Sequence, residues 1–146
     1  ERGLLGACLL RVTEVDGLRL ELDRVGLKGL QTATWSRPAR RWSSVTPIAL
    51  DRWPKKRLSA ETILSDSLRY LGLPAPANIE CLSYSPLKGC PHASQYPSRR
   101  GNPFITHAVI EWEQAIGGPL LIGADRFFGG GLCRPWTDTR EAAHGA

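Results

Sequence analysis

The chain has 146 residues, of which 42% are hydrophobic and 23% charged, so it fits one globular domain or one domain with part of another. No run approaches the ~20 apolar residues of a membrane-spanning helix and no signal peptide is recognisable, so no membrane partner is expected. The formal net charge of +5 favours an anionic partner.

The four cysteines, Cys8, Cys81, Cys90 and Cys133, form no CxxC pair and are unevenly spaced. This pattern argues against a disulfide framework and favours free thiols in a reducing cytoplasm. A metal site built from Cys81, Cys90 and His92 is an alternative, but it lacks a fourth ligand and the usual zinc spacing. We therefore expect no metal and no cofactor.

The positive charge is concentrated between residues 37 and 57. Seven basic residues stand there against the single acid Asp51: Arg37, Arg40, Arg41, Arg52, Lys55, Lys56 and Arg57. Seven minus one gives a local charge of +6, which exceeds the charge of the whole chain. Such clustering is typical of a surface that binds a phosphate backbone, although a solvated basic face without a partner would look the same.

The first part of the chain predicts a hairpin and a connector. An apolar run, 4–12, and an alternating run, 18–23, flank the turn dipeptide Asp16-Gly17, and residues 24–44 are irregular. We interpret residues 1–44 as the remnant of a preceding domain plus a connector.

A strand and the clearest helix follow. Residues 45–50 read as a strand in which Pro47 indicates an edge or a bulge. Ser59 is a suitable N-cap, and Gly72 stands where a C-cap glycine belongs. The apolar residues between them are spaced for one helical face: Leu64, Leu68 and Leu71.

The rest of the chain alternates between extended and helical patterns. Residues 79–84 read as a strand, 85–104 as a long loop, and 105–113 as the best strand. Residues 119–128 predict a short helix, and 132–134 a terminal strand.

The order from residue 45 is strand, helix, strand, strand, helix, strand. This order predicts an α+β, ferredoxin-like (RRM-like) domain over residues 45–136, with an antiparallel sheet and helices on one face. The other face would be open, which is a common platform for single-stranded RNA. Residues 137–146 are expected to be a flexible tail.

Three segments carry a resemblance to a known family. They are WSSVTPIALDRWPKK (42–56), FITHAVIEW (104–112) and GPLLIGADRFFGGGLCRP (118–135). In this order, over roughly residues 35–136, they resemble the C-terminal part of the fused Cas subunit of CRISPR subtype I-U, also called I-G. That fusion joins a fifth-Cas-family domain to a sixth-Cas-family endoribonuclease that processes CRISPR repeat RNA.

The resemblance implies a function and partners. It implies metal-independent cleavage of precursor CRISPR RNA within its repeats, by attack of a 2′-OH on the neighbouring phosphate. The implied partners are the CRISPR repeat RNA and other subunits of the Cas effector complex.

The resemblance also singles out the glycine-rich run as an RNA contact. Gly129, Gly130 and Gly131 would let the backbone approach RNA, and Arg126 and Arg134 flank them with positive charge. A plain turn before an edge strand is the alternative. The basic stretch would add phosphate contacts just before the Ser59 helix.

Proton transfer to and from RNA suits histidine, and the chain has three. His107 alternates with Ala108 and Trp112, so it would face the open side of the sheet as a catalytic residue. His92 lies in the long loop, where a catalytic residue can be presented. Either histidine can instead be structural, and His144 in the tail is a poor candidate.

The sequence is compatible with three functions. The chain can be an endoribonuclease, a non-catalytic RNA-binding or structural subunit of the effector complex, or a general sheet-platform RNA-binding domain. Trp42 and Trp53 could stack bases, although tryptophans near sheet ends are more often in the core.

Overall fold

The computed structural model describes residues 29, 31–97 and 101–136, and these residues form an α+β fold with two α-helices and six strands. The elements are α1 (Thr32–Ser36), β1 (Ala39–Ser44), β2 (Ile48–Ala49), α2 (Ala60–Tyr70), β3 (Asn78–Leu82), β4 (Ile105–Ile116), β5 (Leu120–Leu121) and β6 (Leu132–Pro135). Short 3-10 turns occur at Ala93–Gln95 and Arg126–Phe128. The predicted hairpin over 4–23 and the tail 137–146 lie outside the described residues.

The sheet is antiparallel and is built around β4. One edge of β4 pairs with β3, and the other edge pairs with β1 and β2 in succession; β1 then pairs with β6, and β6 with β5. Because β1 and β3 are both antiparallel to β4, they run parallel to each other with β4 between them. The segment β1–α2–β3 is thus a split βαβ unit. The predicted α+β class is confirmed, and the arrangement is compatible with a ferredoxin-like fold.

Helix α2 begins and ends where its local sequence predicts. The Ser59 hydroxyl accepts a hydrogen bond from the Thr62 amide (3.2 Å), and Gly72 follows the last turn with a φ of +78°. The helix buries Ile63, Leu64 and Leu68. Of the two helices in the described part of the chain, neither is long and apolar enough to cross a bilayer.

The core lies between α2 and the sheet. Its largest side chains, Trp42 and Trp112, are almost completely buried together with Ile110 from the centre of β4. Register explains this shared face, because Trp42 pairs directly with Ile110, and Trp112 lies two residues further along the same strand. Burying two tryptophans supplies a large part of the hydrophobic stabilisation of so small a sheet.

The predicted strand at 45–50 differs from the observed structure. The chain is extended at 39–44 and again at 48–49, and the residues between leave the ladder. There the amides of Val45 and Thr46 both reach the Leu132 carbonyl (2.7 and 3.3 Å). Residues 39–44, expected to be irregular, instead form strand β1, which lies inside the sheet between β4 and β6.

The predicted helix over 119–128 is also wrong. Its first part is strand β5, and only Arg126–Phe128 form a helical turn. The amides that a helix would use internally bond to other elements: Ile122 donates to the Gly131 carbonyl (3.0 Å) and Ala124 to the Ala49 carbonyl (2.8 Å). Between them Gly123 has a φ of +88°, which an α-helix excludes.

Candidate nucleic-acid interface

The sheet face opposite α2 carries two of the predicted RNA-binding arginines. Arg41 pairs in register with Glu111, and Arg134 pairs with Ser43, two residues further along β1, so both arginines lie on the face that Trp42 does not use. Arg41 bonds the Glu111 carboxylate (3.1 Å), and its guanidinium lies 5.3 Å from the centre of the Trp136 ring. This arrangement leaves a half-buried cation and an aromatic ring side by side on the sheet.

The basic stretch predicted as one surface is divided by the fold. Arg40 and Arg41 lie at the start of β1, just after Arg37 at the end of α1, and Arg40 donates to the Trp112 carbonyl (3.3 Å). Arg52 and its neighbours follow the end of β2. Because Arg41 pairs with Glu111 and Ala49 pairs with Ile105, the two groups lie six residues apart along β4, which is roughly 20 Å in an extended strand.

The second group is presented by a tight turn. Lys55 and Leu58 exchange two backbone hydrogen bonds (2.9 Å each), which closes the chain around Lys56 and Arg57. All three basic side chains of the turn are exposed, and the α2 N-cap follows directly at Ser59. Three cations therefore project from one fixed loop beside a helix N-terminus, where anions are favoured.

The glycine-rich run is largely a packing feature. The Gly130 amide donates to the Asp125 carbonyl (3.1 Å) and the Gly131 amide to the Pro47 carbonyl (2.8 Å), so neither amide is available to a phosphate. A Cβ on Gly130 would lie 2.9 Å from the Asp125 Cβ, and one on Gly131 would overlap the Ile122 backbone. Only Gly129 has open space around it, and close approach of RNA can be proposed there alone.

His107 does not face solvent, which corrects the expectation from strand alternation. It lies on the sheet face opposite Trp112 as predicted, but the chain after β3 covers that face, and the side chain is fully buried. Nε2 lies 2.8 Å from the Pro91 carbonyl and Nδ1 lies 2.8 Å from the Ser44 hydroxyl.

These partners define the tautomer of His107. A carbonyl only accepts, so Nε2 carries the hydrogen and donates it to Pro91, while Nδ1 accepts from Ser44. The Ser44 oxygen in turn accepts a hydrogen bond from the Ala108 amide (3.0 Å). Every polar atom of the ring is satisfied internally, and His107 ties the long loop to the sheet.

His92 is exposed at the rim of a groove of about 630 Å³, which we call the histidine groove. Its lining includes Trp53, Glu61, Cys81, His92, Tyr96 and Thr106. The imidazole is held by a local turn: Nδ1 accepts the Ser94 amide (3.2 Å), and the Gln95 side chain accepts the His92 amide (3.3 Å). Nε2 has no partner among the described residues, so it is the nitrogen open to a ligand.

The two tryptophans proposed for base stacking have different environments. Trp42 is completely buried and donates to the Ala39 carbonyl (3.0 Å), so it belongs to the core. Trp53 is 50% exposed, donates to the Asn102 carbonyl (2.9 Å) and packs edge-on against Phe104 (5.6 Å between ring centres). Trp53 therefore offers a fixed, accessible ring on the wall of the histidine groove.

The ionisable groups deeper in this groove are Glu61 and Cys81. The Glu61 amide at the start of α2 lowers the pKa of the Glu61 carboxyl, so this residue stays negatively charged at neutral pH. Burial, and then the Glu61 charge, raise the pKa of the Cys81 thiol to about 12. Cys81 is therefore a neutral thiol and a poor nucleophile.

The described cysteines Cys81, Cys90 and Cys133 are all free thiols. Across residues 31–97 and 101–136, no three His, Cys, Asp or Glu side chains are grouped so that they could hold a metal ion. The alternative zinc site at Cys81, Cys90 and His92 is thus not assembled in this structure.

The class of protein defined by these features is an α+β sheet domain with basic surfaces, an accessible aromatic ring and an exposed histidine. The family model described as "CRISPR-associated protein, GSU0054 family" matches residues 1–135, and the chain belongs to this family. Neither the comparison with curated proteins nor that with solved structures gave a match.

Proposed function

We propose that this chain binds CRISPR repeat RNA and cuts it without a metal ion, and that it then stays with the guide among other Cas subunits in the cytoplasm. Family membership supports a role in a CRISPR system, and the three-segment resemblance supports the processing step. The observation that carries the catalytic part is His92, an exposed imidazole held by its own turn in a groove that also holds Trp53.

In the proposed reaction the 2′-oxygen attacks the adjacent phosphorus and the bond to the 5′-oxygen breaks. The products are a 2′,3′-cyclic phosphate and a 5′-OH. One group must take the 2′-OH proton and another must protonate the leaving oxygen, and we assign one of these transfers to Nε2 of His92. Trp53 stacks a base beside the scissile bond, and the 55–57 turn holds neighbouring phosphates.

The two predicted catalytic histidines have different parts in this proposal. His92 exchanges a proton with RNA. His107 is a positioning residue: its Nε2–H donates to the carbonyl of Pro91, the residue immediately before His92. Loss of that hydrogen bond would let the backbone at Pro91 move, and with it the His92 side chain.

The experiment that tests this function is cleavage of repeat RNA by the full chain in excess EDTA. We expect a cyclic-phosphate product, and no product when the nucleotide 5′ of the scissile phosphate carries a 2′-deoxy sugar. His92→Ala should lower the single-turnover rate by roughly 10²–10⁴-fold with little change in affinity. His144→Ala is the matched control, and cleavage by His92→Ala at the rate of His144→Ala and the parent would remove His92 from the mechanism.

The second candidate is a subunit that binds repeat RNA without cutting it. The burial of His107 favours it, because it leaves His92 as the accessible histidine of the described residues. Tight binding of repeat RNA by the full chain, with no cleavage by the parent protein under any condition, would establish this alternative and overturn the catalytic proposal.

A further inference from the structure

A second groove, of about 710 Å³, is lined by Arg52, the residue before Trp53. We call it the arginine groove, and the residues that matter in it are Asp51, Arg52, Asp66, Arg69, Tyr70 and Arg126. Three separate parts of the fold bring its guanidinium groups together: the chain after β2, the last turn of α2 and the 3-10 turn before Gly129. Such convergence is not expected from a charge run along one element.

Each of the three arginines has a contact within the groove or at its edge. The Asp66 carboxylate bonds Arg52 (3.2 Å) and lies 4.0 Å from Arg69, so one acid lies between two exposed cations. Arg126 donates to the Gly123 carbonyl (3.1 Å), and its guanidinium lies 4.5 Å from the centre of the Phe127 ring. Each guanidinium has five N–H donors, so these contacts leave most of them for a ligand.

Two aromatic side chains beside these arginines are largely exposed to solvent. Tyr70, at the end of α2, is 88% exposed, and Phe127, under Arg126, is 76% exposed. Isolated exposed aromatics are common, but here each is next to an arginine. Cations that track a backbone, combined with rings on which bases stack, are the features of a surface for single-stranded nucleic acid.

The charge and the position of the groove both point to RNA rather than protein. The three arginines outweigh Asp51 and Asp66, and the basic 55–57 turn follows in the same loop. Arg52 lines the arginine groove and the next residue, Trp53, lines the histidine groove, so the two grooves share a rim.

We infer that the arginine groove binds a single-stranded segment of the same RNA, with phosphates on the arginines, one base on Tyr70 in the groove and another on Phe127 beside it. This site rests on the proposed function for the identity of its ligand, but it is separate from the cleavage chemistry. It would accept any sequence, because every base has a face that can stack.

The test is fluorescence anisotropy of the full chain with two RNAs, a repeat carrying a single-stranded flank and the same repeat without the flank. Tyr70→Ala should weaken binding of the flanked RNA by about 5-fold or more, since stacking on one ring contributes about 1–3 kcal/mol per base. It should not change binding of the unflanked repeat. Tyr84→Ala is the matched control, because Tyr84 is also exposed and does not line the arginine groove.

Arg69→Gln adds a second readout. Loss of one phosphate contact should lower the slope of log affinity against log salt by about 0.7 for the flanked RNA. Equal behaviour of Tyr70→Ala and Tyr84→Ala would overturn this inference while leaving EDTA-resistant cleavage, and so the proposed function, intact. If Tyr70→Ala keeps its RNA affinity but fails to assemble with other Cas subunits, the groove binds protein and the inference is wrong.

Discussion

The substitution His107→Ala tests whether His107 has a structural role or a catalytic one. It removes two buried hydrogen bonds of 2.8 Å each and leaves the Pro91 carbonyl and the Ser44 hydroxyl without their partner. Each lost hydrogen bond lowers the free energy of unfolding by about 1 kcal/mol, and the cavity left by the ring lowers it by a similar amount or more. We therefore expect a loss of about 3 kcal/mol of unfolding free energy, or roughly 6–12 °C in melting temperature.

The assay is urea unfolding of the full chain followed by circular dichroism. His107→Gln is the companion variant, because an amide can donate to Pro91 and accept from Ser44, and it should recover part of the loss. Its cleavage rate should recover in parallel, measured at a temperature where both variants are folded. The reasoning is refuted if His107→Ala unfolds within about 0.5 kcal/mol of the parent, or if His107→Gln is fully stable yet cannot cleave, since the imidazole itself would then act on RNA.

Three further outcomes follow from the contacts. Gly131→Ala should lower the free energy of unfolding in urea by more than about 2 kcal/mol, because its φ is +64° and the new Cβ would overlap the Ile122 backbone. Gly129→Ala should lower it by about 1 kcal/mol, because its φ is also positive (+87°) but the space around it is open. Neutralising the three cations of the 55–57 turn should lower the salt slope of RNA binding by about 0.7 for each lost phosphate contact, and an unchanged slope would remove the turn from the RNA path. Cys81 should resist iodoacetamide at pH 8 because its pKa is about 12; mass spectrometry should show faster alkylation in Glu61→Gln, which removes one cause of that shift.

Sequence signals within a short segment predicted correctly those elements that are stabilised within that same segment. The cap at Ser59, the leucines of α2 and Gly72 all lie within one short segment, and the helix they predict is the helix observed. Residues 119–128 carry a similar signal, but the Ile122 amide bonds to Gly131 in the segment that pairs with β5 and the Ala124 amide bonds to Ala49, which is distant in sequence, so neither bonds within a helix. Helix propensity is a weak prior, and tertiary hydrogen bonds outweigh it here.

The candidate site could also be predicted only as far as it depends on contacts near in sequence. Alternation placed His107 on the correct face of β4, but the loop that buries it could not be inferred from the strand itself. The sequence does not single out Arg69 and Tyr70, because nothing in the last turn of α2 distinguishes them from an ordinary solvated helix end. Their meaning depends on Arg52 and Arg126, which only the fold brings near them.

The central place of β4 has a consequence for how the chain folds during synthesis. Strands β1, β2 and β3 all pair with β4, so none of those ladders can begin to form until β4 starts to leave the ribosome at residue 105, and the β1 ladder is complete only after Ile116. Before that point the nascent chain carries Trp42 and three strand segments with unpaired edges, a form prone to misassembly. A chain truncated before residue 105 would therefore lack the sheet altogether, and truncation cannot be used to isolate the basic 55–57 turn as a folded piece.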